Sequence, residues 1–599
     1  MIYRFLMLNI QKDRHNYGKL LAPPINFELT KAIGTTFSLD LYALLAIPVS
    51  LFYSKSMEGD FHLNRYDVLD AIRKSKDVVD IFCQKGEIKV PKEYNHLFAF
   101  MEDCVEEIQP EILDASFHPK IWVLRFERKD EVIYRLIVLS RNLTFDRSWD
   151  VVFFTEGSPL NDTNSSSVKL SDFLKSLYEK SNRKISKAFL KELSKVEFDL
   201  PDKFFDFETY PILPFSKKGK EFSNPLLSKS YKDLLIISPF VDVTTINFFK
   251  ENNKNITILS RQEELDKIPE KILENIDVFC MNDLVANGES YIDTAGDEPK
   301  TQNLHAKIFI GENDHVADWY MGSANSTSPA FGRNTEFLIK VSASDFNYRL
   351  TKAKRDLFED GNDYFIPYKR AEIVIDKEKE SISSNIRDII YRLCELDFNA
   401  SVSQSQTNDN YCIAFDVNLI NFEFSGFDIT VKVPSRIKEN ETVIGQNNSI
   451  RIDNIAITNL SRYLIFTIYY KKEYQKGILI KMDLEIPDER EDYIFNSLIN
   501  SKDKFYQYLQ FLLSPQDLRN KLQIDIGNNS DNDNSEINKL ENIFGLNNPI
   551  YEALMIAASR DKKKLLEIDK VIKKLEQIDK EVIKDFMPIW TVFKEFAND

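Results

Sequence analysis

Cysteine is scarce in this 599-residue chain. The five residues (Cys83, Cys104, Cys280, Cys394 and Cys412) are scattered, and no two form a C-x-x-C pair. That excludes a disulfide framework and a cysteine-based zinc site, and it fits a reducing, cytoplasmic setting. Long apolar runs are also lacking. The longest, Leu41 to Phe52, is broken by Pro48 and is too short to span a bilayer. It follows Ser38 and Asp40, which suit a helix start, so it predicts a buried helix and no membrane association. The opening residues, Met1 to Asn9, are too short and interrupted for a signal peptide. No G-x-x-x-x-G-K-[ST] loop occurs, so ATP-driven work would need a helicase or other partner protein. Net basic charge is absent as well: the balance is -16, with a pI near 5.2. A non-specific nucleic-acid coat is disfavoured, although a local basic groove is not excluded.

Histidine is equally sparse, at six residues, yet two of them stand in matched settings. The first is His118-Pro119-Lys120, followed by a strand-like stretch and then Ser140-Arg141-Asn142-Leu143-Thr144. The second is His305-Ala306-Lys307, followed by a strand-like stretch and then Gly322-Ser323-Ala324-Asn325-Ser326-Thr327. Each block runs into an acidic residue that opens an apolar run: Asp150 before Val151–Phe154, and Glu336 before Phe337–Ile339. One H-x-K is a weak signal, but two with the same sequel are a strong one.

The residue types fit phosphoryl chemistry. Imidazole can serve as nucleophile, acid or base near neutral pH. Alternate residues of a strand share a face, so H-x-K sets an ammonium beside each imidazole. Asn142, Asn325, Ser140 and Ser323 can hydrogen-bond phosphoryl oxygens. Two blocks together suit in-line displacement at a phosphodiester, one His attacking and the other protonating the leaving oxygen. Lys120 and Lys307 cover the charge that a metal covers elsewhere, so neither metal nor cofactor is expected. A nucleophilic His needs an acceptor on its second ring nitrogen. If the two blocks face each other, Glu336 reaches His118 and Asp150 reaches His305. Between Lys169 and Lys195, the residues Lys180, Lys184, Lys187, Lys191 and Lys195 follow helical spacing. They predict one basic stripe, either a solvated face or a phosphate-tracking wall beside the site.

Length allows about four domains. Residues 1–215 and 216–370 each alternate strand and helix patterns around one H-x-K block, which indicates a duplicated α/β fold. Residues 371–487 show short alternating runs and predict a β-sandwich-like domain. Residues 488–599 read as helical, interrupted by the polar stretch Gly527–Ser535. Pro588 should kink or divide the last helix.

The paired blocks resemble the phospholipase D superfamily over about the first 370 residues. Its usual H-x-K-x-x-x-x-D has Arg125 and Glu312 at the Asp positions here, which departs from the lipid-acting pattern. Ser323–Gly332 and Leu143–Trp149 are closer to the tyrosyl-DNA phosphodiesterase branch and the phospholipase D-like nucleases. The resemblance implies two α/β halves about a pseudo-two-fold axis. It also implies a two-step, metal-independent reaction through a phosphohistidine, with His118 as nucleophile and His305 as acid and base, and it supports the crossed carboxylate pairing. The leading expectation is a nuclease acting on DNA rather than RNA, in prokaryotic defence against foreign DNA. The alternatives are an enzyme that removes adducts from DNA ends, a lipid phosphodiesterase, and a catalytically inactive DNA-binding adaptor.

Overall fold

The computed structural model describes residues 17–52, 65–144, 148–201, 203–213, 225–282, 303–359, 364–371, 377–406, 409–419, 424–439, 441–444, 447–513, 550, 554–555, 557–558 and 562–598. The polar stretch Gly527–Ser535 lies outside them, as do Asp146 and Arg147. The chain is a mixed α/β protein.

The first large sheet holds β1 (Glu28–Thr36), β2 (Val79–Gln84), β3 (Val105–Ile108), β4 (Ile121–Arg128), β5 (Glu131–Leu139), β7 (Val152–Pro159) and β8 (Val196–Phe198). Their order is β3-β2-β1-β4-β5-β7-β8. The short β6 (Ser148–Trp149) lies outside this sheet. The second large sheet holds β9 (Phe204–Ile212), β10 (Asp233–Ile237), β11 (Asn255–Ser260), β12 (Asp277–Met281), β14 (Ile308–Asn313), β15 (Val316–Gly322), β16 (Glu336–Ala343) and β17 (Phe365–Pro367). Their order is β17-β12-β11-β10-β14-β15-β16-β9, and the two-residue β13 (Asn303–Leu304) stands apart.

Pairing follows one plan in both sheets. β1, β2 and β3 run parallel, and β1 then turns to the antiparallel series β4, β5, β7. β10, β11 and β12 run parallel, and β10 turns to β14, β15, β16. One difference from the sequence reading is β9. It falls in the segment assigned to the first half, but it hydrogen-bonds along the whole of β16 in the second sheet. Its mixed sequence, FFDFETYPI, carries no mark of which sheet it joins.

Local chemistry repeats where the first parallel strand of each sheet ends. Thr36 Oγ1 donates to the Ser38 carbonyl (2.8 Å) and accepts from Leu143 N (3.0 Å). Ser238 Oγ donates to the Phe240 carbonyl (2.7 Å) and accepts from Ser326 N (2.9 Å). Each hydroxyl therefore ties a strand end to the S-x-N turn of its own block. An aspartate follows each turn. Asp40 Oδ1 accepts from Tyr42 N at the head of the helix Leu41–Phe52, and Asp242 Oδ1 accepts from Thr245 N in the helix Val243–Asn252. Gly34 is dictated by close approach, because a Cβ there would sit 2.8 Å from the Trp122 ring.

The two sheets share one apolar core. Phe117, Ile121, Leu136 and Val138 meet Leu235, Ile308, Phe337 and Ile339 in it. Cross-connections complete the join. β6 pairs in parallel with β13, and Phe117 bridges Thr335 in the same sense. His118 N donates to the Thr335 carbonyl (2.8 Å), and His305 N donates to the Trp149 carbonyl (3.0 Å). The H-x-K triplets thus lie in extended segments just before β4 and β14, not within them, and the backbone N–H of each His goes to the opposite half.

Two further antiparallel sheets follow: β18 (Ser401–Gln404), β19 (Tyr411–Asn418) and β22 (Asn447–Ile455), then β20 (Phe427–Lys432), β21 (Thr442–Val443), β23 (Tyr463–Tyr470) and β24 (Glu473–Lys481). Both contribute to one core with Ile389 and Leu393 of the helix Lys377–Glu395. The helices Glu489–Leu498, Lys502–Leu513, Lys562–Ile578, Lys580–Ile583 and Met587–Asn598 come next. The chain breaks just ahead of Pro588, which then sits in a first helical turn where its missing N–H costs nothing. Phe495, Tyr508 and Trp590 from these helices share a core with Leu44, Ile72 and Trp122 of the first sheet region.

The expected single basic helix is two helices, Ser165–Tyr178 and Lys187–Leu193, each with its own cap. Asn164 Oδ1 accepts from Ser166 N and Ser167 N, and Ser186 Oγ accepts from Phe189 N. These caps stop the helical spacing of the lysines from becoming a continuous stripe.

A buried ion pair fastens the C-terminal region to the first half. Arg490 Nη1 donates to Glu102 Oε2 (2.7 Å) and to the Leu460 carbonyl (3.0 Å), and Nη2 donates to the Ala99 carbonyl (3.2 Å). Ser461 Oγ donates to Glu102 Oε1 (2.7 Å). Replacing only Arg490 by Met strands the Glu102 charge and should cost about 3–5 kcal/mol. Thermal unfolding of Arg490→Met against the double variant Glu102→Gln/Arg490→Met checks this, with the double variant recovering part of the loss.

Candidate active site

The blocks meet in one interior site, and the carboxylates cross between them. His118 Nδ1 lies 2.9 Å from Glu336 Oε2, and His305 Nδ1 lies 2.9 Å from Asp150 Oδ1. A carboxylate only accepts, so each Nδ1 carries the hydrogen and each Nε2 keeps its lone pair. The lysines are fully buried, and each turns back on its own triplet. Lys120 Nζ donates to the His118 carbonyl (3.1 Å) and Lys307 Nζ to the His305 carbonyl (2.7 Å). Thr35 Oγ1 holds the first triplet by donating to the Pro119 carbonyl (2.9 Å) and accepting from Ile121 N (3.0 Å).

Each carboxylate is itself gripped on both oxygens. Ser323 Oγ donates to Glu336 Oε2 and accepts from Phe337 N at 2.9 Å. Asn334 Nδ2 donates to Glu336 Oε1 (3.1 Å), while its Oδ1 accepts from Ser116 N (3.0 Å). On the other side Ser140 Oγ donates to Asp150 Oδ1 (2.9 Å) and accepts from Val151 N (2.9 Å), and Ser148 Oγ donates to Asp150 Oδ2. This corrects the expectation for Ser140 and Ser323. Both are fully buried and spend their hydroxyls on the carboxylates, which leaves nothing for a phosphate. Gly322 makes the tight return possible, because a Cβ there would meet the Phe337 carbonyl oxygen at 2.1 Å.

Asn142 and Asn325 behave differently. The Oδ1 of each is buried and, among the described residues, has no hydrogen-bond partner. Buried amide oxygens are normally satisfied, and these two are matched open acceptors, one in each block, that only a donor could complete.

Electrostatics bind the six groups into one unit. Burial, foremost, pulls the His118 pKa down to about 4, with Glu336 opposing and Lys120 and Lys307 assisting. Burial and then Lys307 pull His305 to about 4 against Asp150. Burial lowers Lys307 to about 7, and burial together with Lys307 drives Lys120 well below the usual lysine range. Burial opposes ionisation of Asp150, but the His305 hydrogen bond and charge outweigh it and hold the carboxyl at about 2. Glu336 is likewise kept low by His118 despite burial. His118 feels Lys307 and His305 feels Lys120, so both blocks act on one volume. At neutral pH both imidazoles are therefore uncharged, each keeping the lone pair of Nε2.

The basic residues do not join it. Lys180 Nζ pairs with Glu111 (2.6 Å). Lys187 and Lys191 lie on the helix whose Glu192 accepts from Arg125 Nε (2.7 Å) and from the Tyr134 hydroxyl (2.6 Å), at the end of β4 remote from His118. Lys184 lines a cavity of 370 Å³ there with Thr30, Lys31, Arg125 and Phe189. Glu312 is also occupied, accepting from Arg349 and Leu350 N. Among the described residues, no three His, Cys, Asp or Glu side chains converge as metal donors, and no helix is long and apolar enough to cross a membrane.

Sequence reasoning missed Ser148 and Asn334. Both stand two residues before the crossed carboxylate, and that matched spacing was the available signal. It also missed Phe37, whose ring meets the His118 edge at 5.4 Å between centroids, for which no pattern stood out.

No family model and no curated protein matches the sequence. Among solved structures, the chain is similar to a mutant of yeast tyrosyl-DNA phosphodiesterase (13% identity, 60% of this chain and 95% of that one, TM-score 0.38). It is similar to phosphatidylserine synthase of Haemophilus influenzae (12% identity, 63% and 91%, TM-score 0.33) and to polyphosphate kinase of Porphyromonas gingivalis (9% identity, 62% and 52%, TM-score 0.31).

Both histidines should titrate near pH 4 by NMR, with Nδ1 protonated in the neutral form. The Glu336 charge supports the protonated form of His118, so Glu336→Gln should lower the His118 pKa further. A rise would remove Glu336 from this role.

Proposed function

We propose that the chain is a metal-independent phosphodiesterase acting on nucleic acid through a phosphohistidine. One observation carries the reading: two imidazoles, each with Nδ1 committed to a carboxylate from the opposite block, share a site with two buried lysines. His118 Nε2 attacks phosphorus as the bond to the leaving oxygen breaks, and protonated His305 gives its Nε2 proton to that oxygen. Water then adds to phosphorus as neutral His305 takes its proton, and the P–N bond breaks. His305 gains its first proton with the substrate, because a bound phosphodiester anion favours imidazolium. Lys120 and Lys307 face the charge that grows on the equatorial oxygens, and the amides of Asn142 and Asn325 flank it. In this reading the two large sheets are duplicated halves about a pseudo-two-fold axis.

DNA is the preferred polymer and a nuclease the preferred class. These two rest on the resemblance of the blocks, whereas the role in prokaryotic defence rests on the likeness of Thr35–Asp40 and the added C-terminal regions to phospholipase D-like defence proteins, and a helicase or other ATP-driven partner on the lack of a nucleotide-binding loop. An inactive adaptor is the weaker reading, because a scaffold has no use for two neutral imidazoles locked in one tautomer.

Phosphodiester hydrolysis should persist in excess EDTA, and loss with rescue by magnesium overturns the mechanism. His305→Ala should let a phosphoryl adduct accumulate on His118, His118→Ala should yield none, and each should lower kcat by roughly 10³-fold or more. An adduct on His305 would exchange the two roles.

The pH dependence has a definite sign. The free enzyme needs His118 neutral and His305 protonated, and both ionise at about 4. kcat/KM should therefore peak near pH 4, fall on either side, and fall faster above pH 7 as Lys307, at about 7, loses its charge. kcat reports the complex and should extend to higher pH. A kcat/KM profile flat from 4 to 7 would rule out His305 as the acid.

A further inference from the structure

Arg261 follows β11 at the rim of the site on the His305 side. Its Nε donates to the carbonyl of Leu304, the residue before His305, at 2.9 Å. Its guanidinium lies over the Phe240 ring, 4.8 Å from the centroid, and that ring is itself 37% exposed. The side chain is half-buried and pinned at two points. Among the described residues, no carboxylate lies within ion-pair distance of it. Its charge is met at longer range by Glu263 and Glu264 and then by Asp150, and it reaches the centre, where it acts on Lys307.

A guanidinium carries five N–H donors, and the Leu304 bond uses one. Fixing a long cationic side chain at a partly desolvated position costs entropy and hydration, and an ion pair would normally offset that cost. The tether itself needs no cation. At the matching end of β2 in the first sheet, the neutral Gln84 holds the residue before His118, its Oε1 accepting from Phe117 N at 2.8 Å. The positive charge at Arg261 therefore has a use beyond holding the backbone. Among the described residues nothing takes up the Nη edge, a fork that suits two oxygens of a phosphate.

In-line attack by His118 places the leaving oxygen on the His305 side. The part of a substrate that passes Arg261 is then the leaving strand. We propose that Arg261 forms a second phosphate subsite, which takes the phosphate next to the scissile one on the leaving-group side. The assignment rests on the nucleic-acid reading above and deepens it, because a polymer with regularly spaced phosphates reaches both positions at once.

The test uses the full chain and three dinucleotides: TpT, with one phosphodiester, and pTpT and TpTp, each with one added terminal phosphate. The readout is the ratio of kcat/KM for an extended dinucleotide over TpT. One extension should raise it by about 10- to 100-fold in the wild type, and which one does so reports strand polarity. Arg261→Met should bring the ratio near one, and Arg261→Lys should keep part of the gain. A wild-type ratio near one for both extensions, or an unchanged ratio in Arg261→Met, overturns the subsite. If the wild type hydrolyses none of the three, the functional reading fails. Calorimetric binding then decides the subsite alone: tighter binding of pTpT or TpTp than of TpT, lost in Arg261→Met, supports it, and equal affinities overturn it.

Discussion

The architecture depends on holding the imidazole of each block against the carboxylate of the other. A buried imidazole next to a buried ammonium is unfavourable without a nearby carboxylate, and here the carboxylate of each pair comes from the opposite sheet. Neither block is electrostatically complete alone. The shared apolar core, the β6–β13 pairing and the Phe117–Thr335 bridge hold the separation at which both pairs close together. Hydroxyl and amide donors from Ser140, Ser148, Ser323 and Asn334 then fix the carboxylates, so the imidazoles inherit their orientation from backbone geometry two bonds removed.

Much of this was legible in the sequence, and the reasons differ by residue. His118, Lys120, Asn142, Asp150 and their counterparts His305, Lys307, Asn325 and Glu336 stood out because the same order of chemical types occurs twice. The strands of the β18–β24 region were readable because alternating runs between turn residues have period two. The serines were misassigned because a hydroxyl beside a phosphate-binding pattern looks the same in sequence whether it faces ligand or carboxylate. The lysine stripe failed because helical spacing across Lys180–Lys195 says nothing about the cap at Ser186 that restarts the helix. Membership of β9 in the second sheet was invisible, because strand pairing over a long sequence separation leaves no local trace.

The C-terminal region is an integral support for the first sheet. Its helices bury Phe495, Tyr508 and Trp590 against Leu44 and Ile72, and Arg490 satisfies three acceptors drawn from two separate regions of the chain. The helix Leu41–Phe52, apolar enough on sequence to raise the question of a membrane, finds its cover there. The rigidity of β1, and with it of Thr35 under Pro119, thus extends outward to residues near the end of the chain.

The placement of β9 has a consequence for how the chain can be divided. It lies along β16, the strand that opens with Glu336, and covers that strand's outer edge, itself becoming the last strand of the sheet. A fragment beginning at β10 would carry the second sheet with that margin bare, its unpaired backbone groups free to template contacts with other molecules. A fragment ending after Ile212 would carry the missing cover without the sheet it protects. The boundary that suits the protein as a folding unit therefore lies before Phe204, so that β16 and Glu336 at its head keep their partner strand.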